Sequence, residues 1–188
     1  MRKILMVFFL VGLAATAQAQ FGLRAGFNSA NFSDTDFDAK SGFHLGAYYT
    51  IGSGFLAFEP GLQYSQKGYQ GTEAGTGRSV DEKLGYIDIP VLARLNLIPA
   101  LNIFLGPQAS LLLSSEYKLG EDVFDSSEAI RGYDLGGVVG AQVKLPMGLN
   151  AQASYDFGFT SLNYYNVDVK NQVFKISLGY TFGGSSGD

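Results

Sequence analysis

Between Phe174 and Phe182 every second residue is large and apolar: Phe174, Ile176, Leu178, Tyr180 and Phe182 alternate with Lys175, Ser177, Gly179 and Thr181. A period of two is the mark of a β-strand with two unlike faces. In a water-soluble sheet the bulky face must find a core. Here the same pattern returns along the chain, and its small and polar set is too sparse to cover a water-exposed surface. A barrel in lipid needs that arrangement: apolar outside, polar inside, no open edge. The pattern predicts an all-β fold, an eight-stranded antiparallel transmembrane β-barrel.

Seven further strands follow the same rule. The first runs near Phe21 to Asn31, with Phe21, Leu23, Ala25 and Phe27 outside and Arg24 and Asn28 inside. The second, near Gly42 to Ile51, sets Phe43, Leu45 and Tyr49 against His44 and Tyr48. The third opposes Leu56, Phe58, Leu62 and Tyr64 to Glu59, Gln63, Ser65 and Lys67. The fourth puts Ile87, Ile89, Val91, Ala93 and Leu95 outside, with Tyr86, Asp88 and Arg94 inside. The fifth, Leu101 to Ser114, the sixth, from Tyr133, and the seventh, from Leu149, continue the alternation; Asp134, Lys144 and Asp156 fall on the inner face. Pro60, Pro90 and Pro107 fall inside strands, where each removes a ladder donor. They are read as bulges or local bends.

The connections alternate in length. Gly52-Ser53-Gly54, Ile98-Pro99-Ala100 and Pro146-Met147-Gly148 are short and turn-like. Ser33 to Lys40, Gly68 to Glu82, Ser115 to Arg131 and Thr160 to Asn171 are long and polar. Membrane barrels alternate short periplasmic turns with longer external loops. Seven such connections place both termini in the periplasm.

Arg2 and Lys3, the apolar run Ile4 to Ala15 and the small-residue site Ala17-Gln18-Ala19 read as a secretory signal cleaved after Ala19. A retained anchor is the alternative, although the run is short of the ~20 residues a membrane helix needs. The expected divisions are a signal peptide, 1–19, the outer-membrane barrel, 20–182, and a flexible tail, 183–188. The chain has no cysteine, which excludes a lipid anchor on that residue, disulfides, thiol catalysis and thiolate metal sites. The formal charge of −4 falls by two more units once Arg2 and Lys3 are removed, which argues against nucleic acid as a partner.

An eight-stranded lumen is only wide enough to be filled by its own side chains. The inward set carries Arg24, Lys67, Arg94, Lys144 and Lys175 against Glu59, Asp88, Asp134 and Asp156. Buried charge is costly unless paired. A structural network of Arg24, Glu59, Asp88, Arg94, Asp134 and Asp156 is expected, with Glu59 and Asp88 meeting Arg24 or Arg94. An ion-selective path is the alternative use of the same residues.

No catalytic, cofactor-binding or metal-binding set stands out. His44 is the only histidine, without a serine or carboxylate constellation around it, and is expected in the lumen near the outer end. Asp34, Asp36 and Asp38 have the spacing that opens a calcium loop, but Ala39 stands where glycine is needed and Leu45 where the bidentate glutamate belongs. A solvated loop is the reading; weak surface binding of a divalent cation that bridges lipopolysaccharide is the alternative. Gly71 to Gly77 neither follows a phosphate-loop pattern nor precedes a helix, and reads as a flexible external loop. Tyr164 and Tyr165 are either contact residues or part of the interfacial girdle.

Leu62-Gln63-Tyr64-Ser65-Gln66-Lys67-Gly68, Tyr86-Ile87-Asp88-Ile89-Pro90, Gly106-Pro107 and Gly179-Tyr180-Thr181-Phe182 resemble the PorT-like outer-membrane β-barrel family, which is related in architecture to the small OmpA and OmpX barrels. The likeness spans essentially the whole mature chain. It implies acidic residues in the third and fourth strands, matching Glu59 and Asp88, and a basic residue after the fourth-strand proline, matching Arg94. An Arg-Tyr pair common in the seventh strand is replaced by Ser154-Tyr155, which takes an expected partner from Asp134 and Asp156. The last strand resembles the signal read by the barrel-assembly machinery, although Gly183 to Asp188 follow Phe182. The resemblance implies outer-membrane location, with lipid and lipopolysaccharide as surroundings. It implies function poorly; the founding member is linked to protein export, and fold does not fix function.

Four function classes follow. The leading one is a non-enzymatic structural or interaction barrel, with its long loops meeting a protein partner or the environment. An accessory role in protein export, a narrow pore and a lipid-modifying enzyme are the others. A soluble ligand-binding barrel of the lipocalin type is the alternative fold, its aromatics inward and charges outward.

Overall fold

The computed structural model describes residues 20–32, 38–52, 54–72, 78–119, 122–125, 132–160 and 170–183. The strands are β1 (Gln20–Phe32), β2 (Asp38–Thr50), β3 (Leu56–Thr72), β4 (Ser79–Ile98), β5 (Leu101–Leu119), β6 (Asp122–Asp125), β7 (Tyr133–Lys144), β8 (Leu149–Gly158) and β9 (Asn171–Thr181). All pairings are antiparallel. Neighbours run β4-β3-β2-β1-β9-β8-β7-β5, and β4 also pairs with β5. That last pairing closes an eight-stranded barrel. The short β6 pairs only with the end of β5 and stands outside the ring.

The two-residue period sets which face is which. Phe27, Leu45, Leu62, Leu105, Ile176 and Leu178 point outward and are at least half exposed. Their strand neighbours Arg24, His44, Glu59, Asp88, Phe104 and Lys175 are buried. The apolar face lies outside and the charges inside, so the lipocalin-type alternative is overturned.

Inward glycines make room for the large lumen side chains. A Cβ on Gly140 would run into the Phe104 ring and the Ala153 carbonyl, so β7 must offer a bare backbone there. The turn Pro146–Gly148 needs left-handed backbone at Met147, with φ of 64°, and at Gly148, with φ of 81°.

Two expectations change. The prolines do not shift the register: Pro60 stays opposite Val91, and pairing resumes in the same register at Gln63–Asp88. Likewise Pro90–Gln108 resumes at Ala93–Leu105. Each proline sits in or beside a short ladder gap. The irregularities fall elsewhere, between Ala39 and His44, between Gly85 and Tyr86, and between Asn96 and Ile98. Much of the segment expected as the second long loop is strand, because β3 runs to Thr72 and β4 begins at Ser79. The expected signal peptide, 1–19, Asp34, Asp36, Glu73 to Gly77, Tyr164, Tyr165 and the last five residues lie outside the described residues.

Candidate functional site in the barrel lumen

Every charge in the lumen arrives by strand parity, and the register decides which charges meet. Glu59, three residues into β3, and Arg94, four residues from the end of β4, lie near the turn end of the barrel. The Glu59 carboxylate is 3 % exposed. Arg94 grips it with Nε 2.5 Å from Oε2 and Nη2 2.6 Å from Oε1. Arg24, on β1, donates from Nη1 to the same Oε1 at 3.1 Å. Arg94 also donates to Asn102 Oδ1 at 2.8 Å and to Gln152 Oε1 at 2.9 Å. The guanidinium of Arg24 stacks on the Tyr48 ring at 4.2 Å, and that of Arg94 on Phe104 at 4.6 Å.

A second cluster forms around Asp88, whose side chain is fully buried. Lys67 Nζ lies 2.9 Å from Oδ1, and Lys175 Nζ lies 3.1 Å from Oδ2. Ser110 donates to Oδ1 at 2.6 Å. Lys175 also pairs with Asp156 at 2.6 Å, and Lys67 lies over the Tyr86 ring. So Asp88 does not meet Arg24 or Arg94. Its strand places it six residues from Arg94, toward the loop end, where the inward cations are lysines. Asp156, despite Ser154 in place of an arginine, is held by Lys175. Asp134 accepts from Thr160 at 2.6 Å and Asn171 at 2.9 Å, both neutral donors.

His44 sits in the middle of β2, rather than near the outer end. Its Nδ1 is 2.6 Å from Asn28 Oδ1, and its Nε2 is 2.8 Å from Ser177 Oγ. Asn28 in turn donates to Ser65 and to the Phe43 and Gln66 carbonyls. The sequence pattern points to no serine beside His44, yet the structure brings the Ser177 hydroxyl to Nε2; on the Nδ1 side the ring is held by the neutral Asn28 amide, and no carboxylate among the described residues takes that place. Lys144, expected in the lumen, is exposed at the turn end, where it donates to Asn96 at 3.1 Å. Among the described residues no group of three or more histidine, cysteine or acidic side chains is arranged to hold a metal ion.

Parity alone also placed Leu92, Phe104 and Val138 inward, where they form an apolar cluster in the lumen. Sequence reasoning passed over them because it sought polar residues on that face. The polar bridges Asn28, Ser110, Asn102 and Gln152 had the same parity signal but no charge to draw attention to them.

The model of a family described as outer membrane protein beta-barrel domain matches residues 15–164. Among solved structures, Neisserial surface protein A is 17% identical, with a TM-score of 0.61 over 87% of this chain and 99% of that one. A major outer membrane protein of Thermus thermophilus is 14% identical, with a TM-score of 0.54 over 88% and 100%. Ail, the attachment invasion locus protein of Yersinia pestis, is 15% identical, with a TM-score of 0.52 over 87% and 99%. No curated protein sequence matches the chain.

Proposed function

The chain belongs to the outer membrane protein β-barrel family, and from that premise we propose that it is a non-enzymatic outer-membrane barrel whose lumen is sealed by its own side chains. Its role is structural or lies in contacts made by its external loops. The observation that carries this reading is the pair of ion clusters at two depths, Glu59 with Arg24 and Arg94, and Asp88 with Lys67 and Lys175. Arg24, Glu59, Asp88, Arg94, Asp134 and Asp156 hold the barrel's shape in this account. Charges of both signs interleaved at two depths leave no continuous row of one sign for ion conduction.

Lipid and lipopolysaccharide surround the outward face, and the barrel-assembly machinery inserts the chain. Planar-bilayer recording with the purified protein should give no discrete conductance; sustained single-channel steps would refute the seal. A strain lacking the protein should lose resistance to bile salts or large antibiotics with its lipid A and phospholipid profiles unchanged. An altered lipid profile would point instead to an enzyme.

An accessory role in protein export is the second reading. Two features favour it: the PorT-like motifs at Leu62–Gly68 and Tyr86–Pro90, and the sheet that β3, β4, β5 and β6 raise at the loop end. Cross-linked co-purification of a secretion component from membranes tests it. A protein recovered alone would remove it.

A further inference from the structure

Glu59 meets two guanidinium groups in different ways. Arg94 donates from Nη2 to Oε1 at 2.6 Å, and its Nε lies 2.5 Å from Oε2 but is not aligned to donate to it. Arg24 offers Glu59 only Nη1. Its own Nε and Nη2 are buried and have no hydrogen-bond partner among the described residues. The Arg24 side chain is 8% exposed, so bulk water does not reach this edge. Donors of a charged group left unsatisfied in such a place carry a large desolvation cost.

Among the described residues, Glu59 at Nη1 is the one carboxylate paired with Arg24. Across the strands, Arg24 faces Gly46 and Gly179. The space over these glycines is taken by Gln63 and by Asn150, whose Oδ1 lies 2.5 Å from where a Gly179 Cβ would stand. The Tyr48 ring covers the guanidinium face. The local charge is also unbalanced. Arg24 and Arg94 share one carboxylate, and the nearby Asp88 and Asp156 are held by Lys67 and Lys175. One positive charge is left over at the turn end.

We infer that the Nε–Nη2 edge of Arg24 binds one small monovalent anion inside the lumen, a halide or a carboxylate of formate size. Two convergent N–H donors and an unbalanced charge select an anion. The Tyr48 ring over the guanidinium face, and the buried lumen around it, favour a small one. The inference goes beyond the sealed-lumen reading, since a barrel that conducts and a barrel that does not would carry the site alike.

The full barrel, extracted in detergent, can be crystallised in bromide and its anomalous scattering recorded. A bromide peak beside Arg24 Nε and Nη2 is expected. In solution, bromide replaces gluconate at constant ionic strength, so screening does not change. The midpoint of heat unfolding should then rise by about 3 °C per tenfold bromide once the site begins to fill. Arg24→Gln should abolish the rise. Asn150→Asp supplies a built-in carboxylate beside Arg24 and should abolish it too, with the arginine kept; it serves alone if Arg24→Gln fails to fold. A water bridging Arg24 to Asn150 Oδ1 with no bromide peak overturns the site. So does a bromide response that survives Asn150→Asp.

Discussion

Strands β3, β4 and β5 run for 17, 20 and 19 residues, whereas β8, β9 and β1 run for 10, 11 and 13. The short wall is regular. Pairing between β1 and β9 runs without a gap from Gly22–Thr181 to Phe32–Asn171, and between β8 and β9 from Leu149–Tyr180 to Phe157–Gln172. The long wall holds Pro60, Pro90 and Pro107 in three successive strands, with ladder gaps beside them. Beside those gaps Leu92, Phe104 and Val138 form an apolar cluster in the lumen.

The difference shows how each wall is held. The short wall relies on its hydrogen-bond ladder. The long wall is tied to it through the lumen: Arg24 on β1 reaches Glu59 on β3, Lys175 on β9 reaches Asp88 on β4, and Gln152 on β8 accepts from Arg94 on β4. Side chains thus support the wall whose backbone pairing is interrupted.

Cutting the ties should separate the walls most sharply at Glu59. Glu59→Gln leaves two buried guanidiniums without their carboxylate and should cost about 3–5 kcal/mol. A urea-unfolding midpoint, or the temperature at which the SDS-resistant band is lost, reads this directly. Phe104→Ala opens a cavity behind the proline gaps and removes the ring under Arg94; about 3–4 kcal/mol of destabilisation is expected by the same assay. Asp88→Asn should cost less than Glu59→Gln, about 2–3 kcal/mol, because Lys175 keeps Asp156 while Lys67 loses its ion pair. Equal losses for these two substitutions would mean that the clusters act as one unit.

The smallest effect is expected at the ladder itself. Pro90→Ala restores an N–H to β4 but releases the unfolded chain from proline's restraint, so the two contributions nearly cancel. Stability should change by less than about 0.5 kcal/mol. Amide exchange at Leu62 and Leu92 should nevertheless slow. A clear loss of stability would show that Pro90 contributes packing against Gly61 that outweighs the missing donor.

The eight strands were legible because a barrel in lipid enforces one period along each strand. Phe21 to Phe27 and Phe174 to Phe182 carry it without interruption. Which charges meet was only partly legible. Parity places Asp88 and Arg94 inward, but partner choice depends on depth, set by strand stagger, and depth is not written in local pattern. Hence Glu59 met both arginines, and Asp88 took lysines instead. Lys144 had inward parity yet sits at the mouth, since parity does not say where the lumen ends. The raised ends of β3 to β5 were hidden because polar residues such as Gln70, Asp81 and Lys118 look alike in a loop and in a strand above the lipid.

The central claim is that lumen ion pairs fasten an interrupted wall to a regular one. Residue-resolved amide exchange of the folded barrel, as wild type and as Glu59→Gln, tests it most directly. The account predicts that exchange accelerates by tenfold or more along β3, β4 and β5 around the proline gaps, by order-of-magnitude reasoning from the lost pairing, while β8 and β9 keep their protection. Equal acceleration in both walls, or none in the long one, would contradict it.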